Sequence, residues 1–419
     1  KWGIKGFVVP IPHELYALES QLEEKDGAYE IRVFSDLSEV DYFDQMQLLS
    51  YVIPDNLELG TENPSFGAVA GSKTVVHTID PGNLFLPKSA TLIDTGEDIK
   101  NAVSKQDNNR LLFNPDTENY SYKTMEFDFG DLSPYQQKKL VVVGSSAFPD
   151  TKEGIDRKKL FGPAEILEVQ DEQGDWQTVP AGKTTFAKPV AFEKRQVFDI
   201  SNIFLTKNTK LRIKYLYKTR LDQVAVDVSP DYSFDSVQSL PLESADLEGN
   251  NFYHPYKRGE TIPDYYVTQK RDSEYFGNYT RYGEVAPLLK EQDDKLVIVA
   301  KGDEITTRFK VPTDDIPAGM KRAYLVSTWG YYKAEGKSQV PMTVEPLPFA
   351  KMSNFPYPKE EYPYANDADY QNYLKTYNTR LIDKDHKLTD YLPWQEKINS
   401  DVQDIFEKGK NFLDNLNLQ

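Results

Sequence analysis

The chain has 419 residues, no cysteine, and a formal charge of −17 from 66 acidic against 49 basic side chains. That length is more than one ordinary core can use and suits about two to four domains. The acid excess repels phosphate backbones and anionic membranes at long range, which argues against a nucleic-acid partner. Without cysteine there are no disulfides, no thiol chemistry, no iron–sulfur cluster and no covalently attached haem.

Tyrosine (27) exceeds phenylalanine (22), which suits half-buried sheet faces where one ring edge stays wet. No run of about 18 apolar residues is present to span a bilayer as a helix. The chain opens on Lys1-Trp2-Gly3 without Met, which reads as a processed or trimmed product. A cysteine-free exported chain of this size points to a bacterial source. The expected location is extracellular or cell-surface, with the periplasm and outer membrane included.

Period-two alternation dominates the first 345 residues and predicts antiparallel sheet. Polar loops are expected around Asn56–Ser72 and Asp98–Glu118. Met125, Phe127 and Phe129 then alternate with Glu126 and Asp128, and Leu140–Val143 is a continuous apolar run suited to a central strand. Between Ile166 and Val179, Asp171-Glu172-Gln173-Gly174-Asp175 reads as a hairpin turn with Gly174 at positive φ. Leu211, Ile213, Tyr215 and Tyr217 alternate with Arg212 and Lys214. A loop is expected over Asp246–Tyr275, and a second buried run over Leu296–Val299.

The composition changes near Pro346. Prolines 346, 348, 356, 358 and 363, interleaved with Phe349, Phe355, Tyr357, Tyr362 and Tyr364, predict an extended strap. Helical spacing follows at Tyr370, Tyr373, Leu374, Tyr377 and Leu381, and again from Trp394 to Leu416. This tail either packs on the sheets or docks a partner.

Catalytic signatures are sparse. The histidines, His13, His77, His254 and His386, have no ligand spacing, and the Gly144-Ser145-Ser146 string lacks the glycine of a nucleophile elbow. No phosphate-binding glycine loop occurs. Carboxylates cluster at Asp36, Glu39, Asp41 and Asp44, at Asp293 and Asp294, and at Asp303 and Glu304. Such pairs serve a glycosidase if they face each other across a cleft, or a calcium ion if they form an oxygen cage. No catalytic residue is assigned and no cofactor is expected. A structural Ca²⁺ is allowed by composition without an address. The nominated ligand contacts are Trp329, Tyr331 and Tyr332 with Arg281 and Tyr282, because rings beside a guanidinium can stack on sugars or anchor a protein partner. The plainer alternative for these rings is core packing.

Several strings carry a family resemblance: Tyr279-Thr280-Arg281-Tyr282-Gly283-Glu284-Val285-Ala286-Pro287-Leu288-Leu289 with Asp293-Asp294 and Gly302-Asp303-Glu304, and Thr343-Val344-Glu345-Pro346-Leu347-Pro348-Phe349 with Met352-Ser353 and Tyr357-Pro358. Tyr377-Asn378-Thr379-Arg380 and, earlier, Tyr29-Glu30-Ile31 with Tyr42-Phe43-Asp44-Gln45 and Leu48-Leu49 belong to the same set. Together they resemble the C-terminal region of bacterial FG-GAP/ASPIC–UnbV proteins, the cartilage-acidic-protein-like group, over roughly residues 15–382. The resemblance implies an exported protein of β-rich modules, without the calcium loops of that group's propeller and with no catalytic residues to carry over. Leu140–Tyr217 is also similar to galactose-binding-like sandwiches.

The expected architecture is mostly β. Tandem antiparallel sandwiches are divided into a β-rich domain 1–118, a galactose-binding-like sandwich 119–235, a β-rich domain 236–345, and a strap with C-terminal helices 346–419. The expected function is a non-catalytic surface protein that binds a glycan or a protein partner in a larger assembly. The alternative is a carbohydrate-active hydrolase using a carboxylate pair.

Overall fold

The computed structural model describes residues 3–383 except 5–6, 9–12, 20, 36–38, 63–74, 108, 115–120, 148–164, 181, 191–192, 235–236, 250–251, 255–263, 267–274, 335–343, 347–351, 354–357 and 362–365. Most of the strap, the helical pattern from Trp394 onward, Asp36 and His386 lie outside the described residues, as does the side chain of His254. The molecule is mostly β, with 51% strand against 8% helix, in several antiparallel sheets. No described helix is long and apolar enough to cross a membrane.

One sandwich stacks two six-stranded sheets. The first runs Glu97–Asp98, Ser89–Leu92, Lys123–Asp128, Lys210–Tyr215, Glu165–Gln170, Trp176–Thr178. The second runs Leu111–Phe113, Lys218–Asp227, Lys139–Ala147, Lys194–Asp199, Glu58–Glu62, Val75–Ile79, with one parallel contact between Gln196 and Thr61. Alternation explains the stacking. Met125, Phe127, Leu211 and Ile213 point inward from one sheet, to meet Leu140, Val142, Phe198, Val224 and Val226 from the other. Their neighbours Glu126 and Arg212 pair on the wet face at 2.9 Å. The predicted hairpin is present: Gly174 takes φ 86°, and the Asp171 and Asp175 backbones bond at 2.9 Å.

A second pair of sheets surrounds that sandwich in sequence. Its larger sheet orders Val237–Leu240, Glu39–Pro54, Met320–Ala334, His13–Ala17, with Val297–Val299 also on Glu39–Pro54. Its partner orders Gly283–Glu284, Leu242–Gly249, Asp303–Lys310, Ala28–Phe34, Glu24–Lys25. Met46, Val297 and Val299 of one pack on Ala245, Leu247 and Ile305 of the other.

This pairing corrects the expected tandem order. Residues of the expected domains 1–118 and 236–345 share both outer sheets, and residues 58–231 form a sandwich nested between them. The boundary expected at 118 would also separate Leu111–Phe113 from its partner strand Lys218–Asp227. Alternation fixes which face of a strand is dry, yet says nothing about which distant strand will cover it. All three expected loops contain strands: Glu58–Glu62 in the first, Leu111–Phe113 in the second, and Phe252–His254 with Asp264–Tyr266 in the third. Leu242–Gly249 runs into the third.

Asp44 marks an irregularity in the longest strand pair. Gln45 opposes Trp329, yet Phe43 opposes Gly330, so Asp44 is an extra residue in its strand. The bulge turns the strand over: Met46 and Leu48 face the partner sheet, whereas Tyr42 and Val40 face the opposite way. There the C-terminal segment covers them. Helix Ala368–Thr376 begins at Asp367, whose carboxylate accepts from the Asp369 and Tyr370 backbone N–H groups. The predicted helical spacing stops there, because Arg380–Ile382, with Leu381, is a strand on Gly277–Tyr279.

Candidate functional site

The five nominated contacts divide into two groups. Trp329 and Tyr331 alternate on one strand and lie on the face that the bulge hands to Tyr42. Tyr331 is 5% exposed and stacks on Tyr42 at 4.5 Å between ring centroids. Trp329 is half-buried and stacks on His13 at 4.4 Å, while His13 meets the Ser327 hydroxyl at 2.9 Å. Alternation turns Tyr332 to the opposite face, where it is 38% exposed. Burial, with the charges of Glu39, Glu14 and Asp41, pushes its phenol up to about 12.

Arg281 and Tyr282 sit where the chain leaves the short strand Gly277–Tyr279. Arg281 donates its backbone N–H to the Tyr377 carbonyl at 2.7 Å and its Nε to the Thr376 carbonyl at 3.1 Å. Tyr282 donates its hydroxyl to Asp303 at 2.9 Å. Arg281 therefore holds the C-terminal helix end, whereas Tyr282 is tied to strand Asp303–Lys310.

At the middle of this contact is a residue that the search for sugar-stacking groups missed. Arg380 and Asp303 are 4% and 1% exposed. Their side chains meet twice, Nη2 to Oδ2 at 2.5 Å and Nη1 to Oδ1 at 3.2 Å. Arg380 also donates Nε to the Thr280 carbonyl at 2.9 Å and Nη1 to the Tyr282 hydroxyl oxygen at 2.7 Å. Its guanidinium carbon lies 4.2 Å from the Tyr282 ring centroid. Burial alone would lower its pKa; the charge and hydrogen bond of Asp303, with the Tyr282 and Tyr279 phenols, together outweigh that and the net shift is upward. The fork geometry is what a buried ion pair needs to offset its desolvation. The signal was present in the sequence: Arg380 and Ile382 are two positions of one alternating face, so a charge falls where an apolar residue is expected.

The same contact is sealed by tyrosine hydroxyls. Tyr373 donates to the Leu296 carbonyl at 2.6 Å and accepts from the Asn378 amide at 3.1 Å. Tyr42 donates to the Val344 carbonyl at 3.2 Å. Lys333 donates to the Glu345 carbonyl at 2.6 Å, 4.7 Å over the Tyr42 ring, and its burial pulls its ammonium down to about 7. The segments around residues 279–282, 302–304 and 377–380 thus meet at one buried junction.

The carboxylates proposed for catalysis are engaged locally. Asp44 is fully buried and its Oδ1 accepts from the backbone N–H groups of Asp293 (3.1 Å) and Asp294 (2.9 Å). Burial, reinforced by the charges of Asp294 and Asp293, lifts it to about 7 against those two hydrogen bonds. Asp293 pairs with Lys295 at 2.9 Å, and Asp41 accepts from the Ser35 hydroxyl at 2.5 Å. No group of three or more His, Asp or Glu among the described residues is placed to hold a metal ion. A groove of about 320 Å³ opens beside Gln47, Ser239 and Lys290; none of the five nominated residues lines it.

A second buried polar cluster lies on the outer face of the nested sandwich. Lys139 and Asp227, both fully buried, face each other at 2.9 Å. Asp231 contacts Lys139 at 3.1 Å and His77 at 2.9 Å, with Glu62 3.7 Å from the other side of His77. Close by, Lys194 and Thr61 of the nested sandwich donate to the Leu15 carbonyl of the outer one, at 3.1 and 3.3 Å. Both donors thus meet one carbonyl on the edge strand His13–Ala17, tying it to the nested sandwich. Comparison with protein-family models, with curated proteins and with solved structures gives no match for this chain.

Proposed function

We propose that this chain is an exported, non-catalytic cell-surface protein that binds a glycan or a protein partner as a subunit of a larger assembly. The observation that carries the reading is the use made of its chemical groups. Asp303, Arg380, Asp44, Lys139 and Asp227 are all buried, and each has hydrogen-bond or ion-pair partners within the fold. Of the five nominated contacts, Tyr332 is exposed and Trp329, Arg281 and Tyr282 are half-buried. Half-exposed rings on a rigid sheet suit sugar stacking or a protein hot spot. The resemblance to the UnbV group supports export, and the two six-stranded sheets support a galactose-binding-like identity for the nested sandwich.

The hydrolase reading has one observation in its favour, the Asp44 carboxyl held near 7 beside Asp293 and Asp294. Its full burial denies a substrate access. Incubation with a panel of polysaccharides separates the two. Retention without released sugar, weakened at least tenfold by Trp329→Ala or Tyr332→Ala, is expected. Released reducing sugar that disappears in Asp44→Asn would transfer the protein to the hydrolases.

A further inference from the structure

A chain with no cysteine has no disulfide to staple its sheets, and the nested sandwich contains a place where another covalent staple fits. Lys139 and Asp227 lie directly opposite each other on neighbouring antiparallel strands in the middle of the second sheet. Both side chains are fully enclosed. The ammonium nitrogen is 2.9 Å from Asp227 Oδ2 and 3.1 Å from Asp231 Oδ1. Two residues along the same strand face, Val141 packs with Ile79 and Val197, so the wall beside the pair is apolar.

Two opposite charges sealed from water carry a desolvation cost that mutual attraction repays only in part. An amide between them would carry no charge, and its C=O and N–H would find the acceptors and donors already present. The Thr78 carbonyl accepts from Lys139, and the Ser229 hydroxyl and backbone N–H donate to Asp227.

We propose that Lys139 and Asp227 condense to an intramolecular isopeptide bond, with Asp231 as the proton carrier. The ion pair first exchanges one proton, giving a neutral amine and a neutral carboxylic acid. The amine nitrogen attacks Cγ of Asp227, forming the C–N bond and a tetrahedral centre. Asp231 takes the proton that the nitrogen sheds and delivers it to the departing hydroxyl. The C–O bond breaks and one water leaves. Asp231 ends as the carboxylate it began as, and no oxidant, reductant or further reactant enters. Holding the two groups face to face on a rigid sheet supplies the effective concentration that the reaction lacks in solution.

Asp231 is suited to the role by its placement. Its carboxylate is fixed by the Thr78 backbone N–H at 3.0 Å and the Gln137 amide at 2.8 Å. With its side chain 32% exposed it also stands at the boundary with solvent, where the water can depart.

The intact mass of the purified chain, measured after full denaturation, tests this directly. The expected mass is one water below the sequence sum, with a branched peptide joining the segments that hold Lys139 and Asp227 in tandem spectra of a digest. Lys139→Met and Asp227→Ala should each restore the full mass, and Asp231→Asn should leave most of the chain unlinked. A wild-type mass equal to the sequence sum overturns the proposal and leaves a plain ion pair. So does a water loss that persists in Lys139→Met, since that places the dehydration elsewhere. The wild-type measurement decides the matter even if a variant fails to fold.

Discussion

The nested and the outer sandwich reach closure by different chemistry. The two nested sheets meet over one large cluster of mainly aliphatic and phenylalanine side chains with one tyrosine, Tyr215. The outer one is divided into several smaller clusters rich in tyrosine: Tyr42, Tyr275, Tyr279 and Tyr331 in one, Tyr370 and Tyr373 in another, Tyr29 and Tyr324 in a third. Several hydroxyls of these outer rings reach backbone or another ring, as Tyr279 does to the Tyr275 carbonyl at 3.1 Å and Tyr324 to Tyr29 at 3.0 Å. The nested sheets unite residues 58–231, whereas the outer ones must unite 13–54 with 237–334 and then accept 368–382. Contacts of such sequence separation carry a larger loop-closure cost. A cover segment anchored by oriented hydrogen bonds and an ion pair has one seating only, which a greasy patch alone would not specify.

That contrast predicts two separable unfolding units, and each has its own reporter. Trp329 stacks on His13 in the outer sandwich; Trp176 lies under the Arg212 guanidinium, 4.1 Å away, in the nested one. Arg380→Ala should have the largest effect. It leaves Asp303 buried with its charge unanswered, at a cost of about 3–5 kcal/mol. Arg380→Lys should recover little, because an ammonium cannot fill two carboxylate oxygens and two further acceptors in one plane. In urea, with the other tryptophans replaced by phenylalanine, the Trp329 transition should move and the Trp176 transition should stay. If both shift together, the two sandwiches are one cooperative unit and the contrast fails.

pH sharpens the same comparison, because the two regions should respond with opposite sign. In the nested sandwich, burial of His77 works downward, but Asp231 and Glu62 outweigh it and raise the imidazole to about 9. Its contribution is complete below about 6.5 and is lost as pH climbs through 9, since the folded state then gives up a proton that the unfolded chain has already released. In the outer sandwich burial lowers Lys333 to about 7. Between that value and about 10.4 the unfolded chain holds the extra proton, so stability rises with pH. Lys194 of the nested sandwich, lowered by burial to about 8, opposes the His77 slope above that value, so the contrast is sharpest between pH 7 and 8. Each whole proton contributes about 1.4 kcal/mol per pH unit. From pH 7 to 8 the Trp176 midpoint should therefore fall while the Trp329 midpoint climbs. Parallel slopes would contradict the assignment of these charges to separate units.

What the sequence made legible follows the same division. The strands around Met125, Phe127, Leu211 and Ile213, and the turn at Gly174, were readable because one side of each strand is dry and the other carries paired charges. The outer sheets hid more. Val40, Tyr42, Asp44, Met46 and Leu48 read as one unbroken alternation, yet the bulge at Asp44 sends the two ends of that run to opposite faces. Nothing local distinguishes a bulge residue from an ordinary inward position. Nested topology was out of reach for a related reason: the partner of Glu39–Pro54 lies some 280 residues later, and several intervening strands have an equally suitable dry face. The aromatic site candidates were chosen by type. The structure places Tyr331 in a stacked pair with Tyr42, and Arg281 and Tyr282 on the C-terminal cover. Lys139 sat in plain view, a charge at the start of the apolar run Leu140–Val143 on the face shared by Val141.

The smallest expected change tests whether tyrosine hydroxyls, beyond their rings, seat the cover. Tyr373→Phe keeps the ring in its packing against Tyr370 (5.1 Å between centroids) and removes a single oxygen. That oxygen donates to the Leu296 carbonyl and receives the Asn378 amide, both in a buried site, so two polar groups lose their partner at once. An orphaned buried group costs about 1–3 kcal/mol, and some of that is recovered if the amide turns elsewhere, giving a net loss of about 1–2 kcal/mol. Tyr215→Phe in the nested core is the matched control: its hydroxyl has no hydrogen-bond partner among the described residues, so the substitution should be neutral or mildly stabilising. Negligible losses for both variants would mean that the rings alone hold both sandwiches. A loss confined to Tyr373→Phe, read at Trp329 and absent at Trp176, would locate the oriented hydrogen bonds in the outer unit, where the chain has the farthest to travel before it closes.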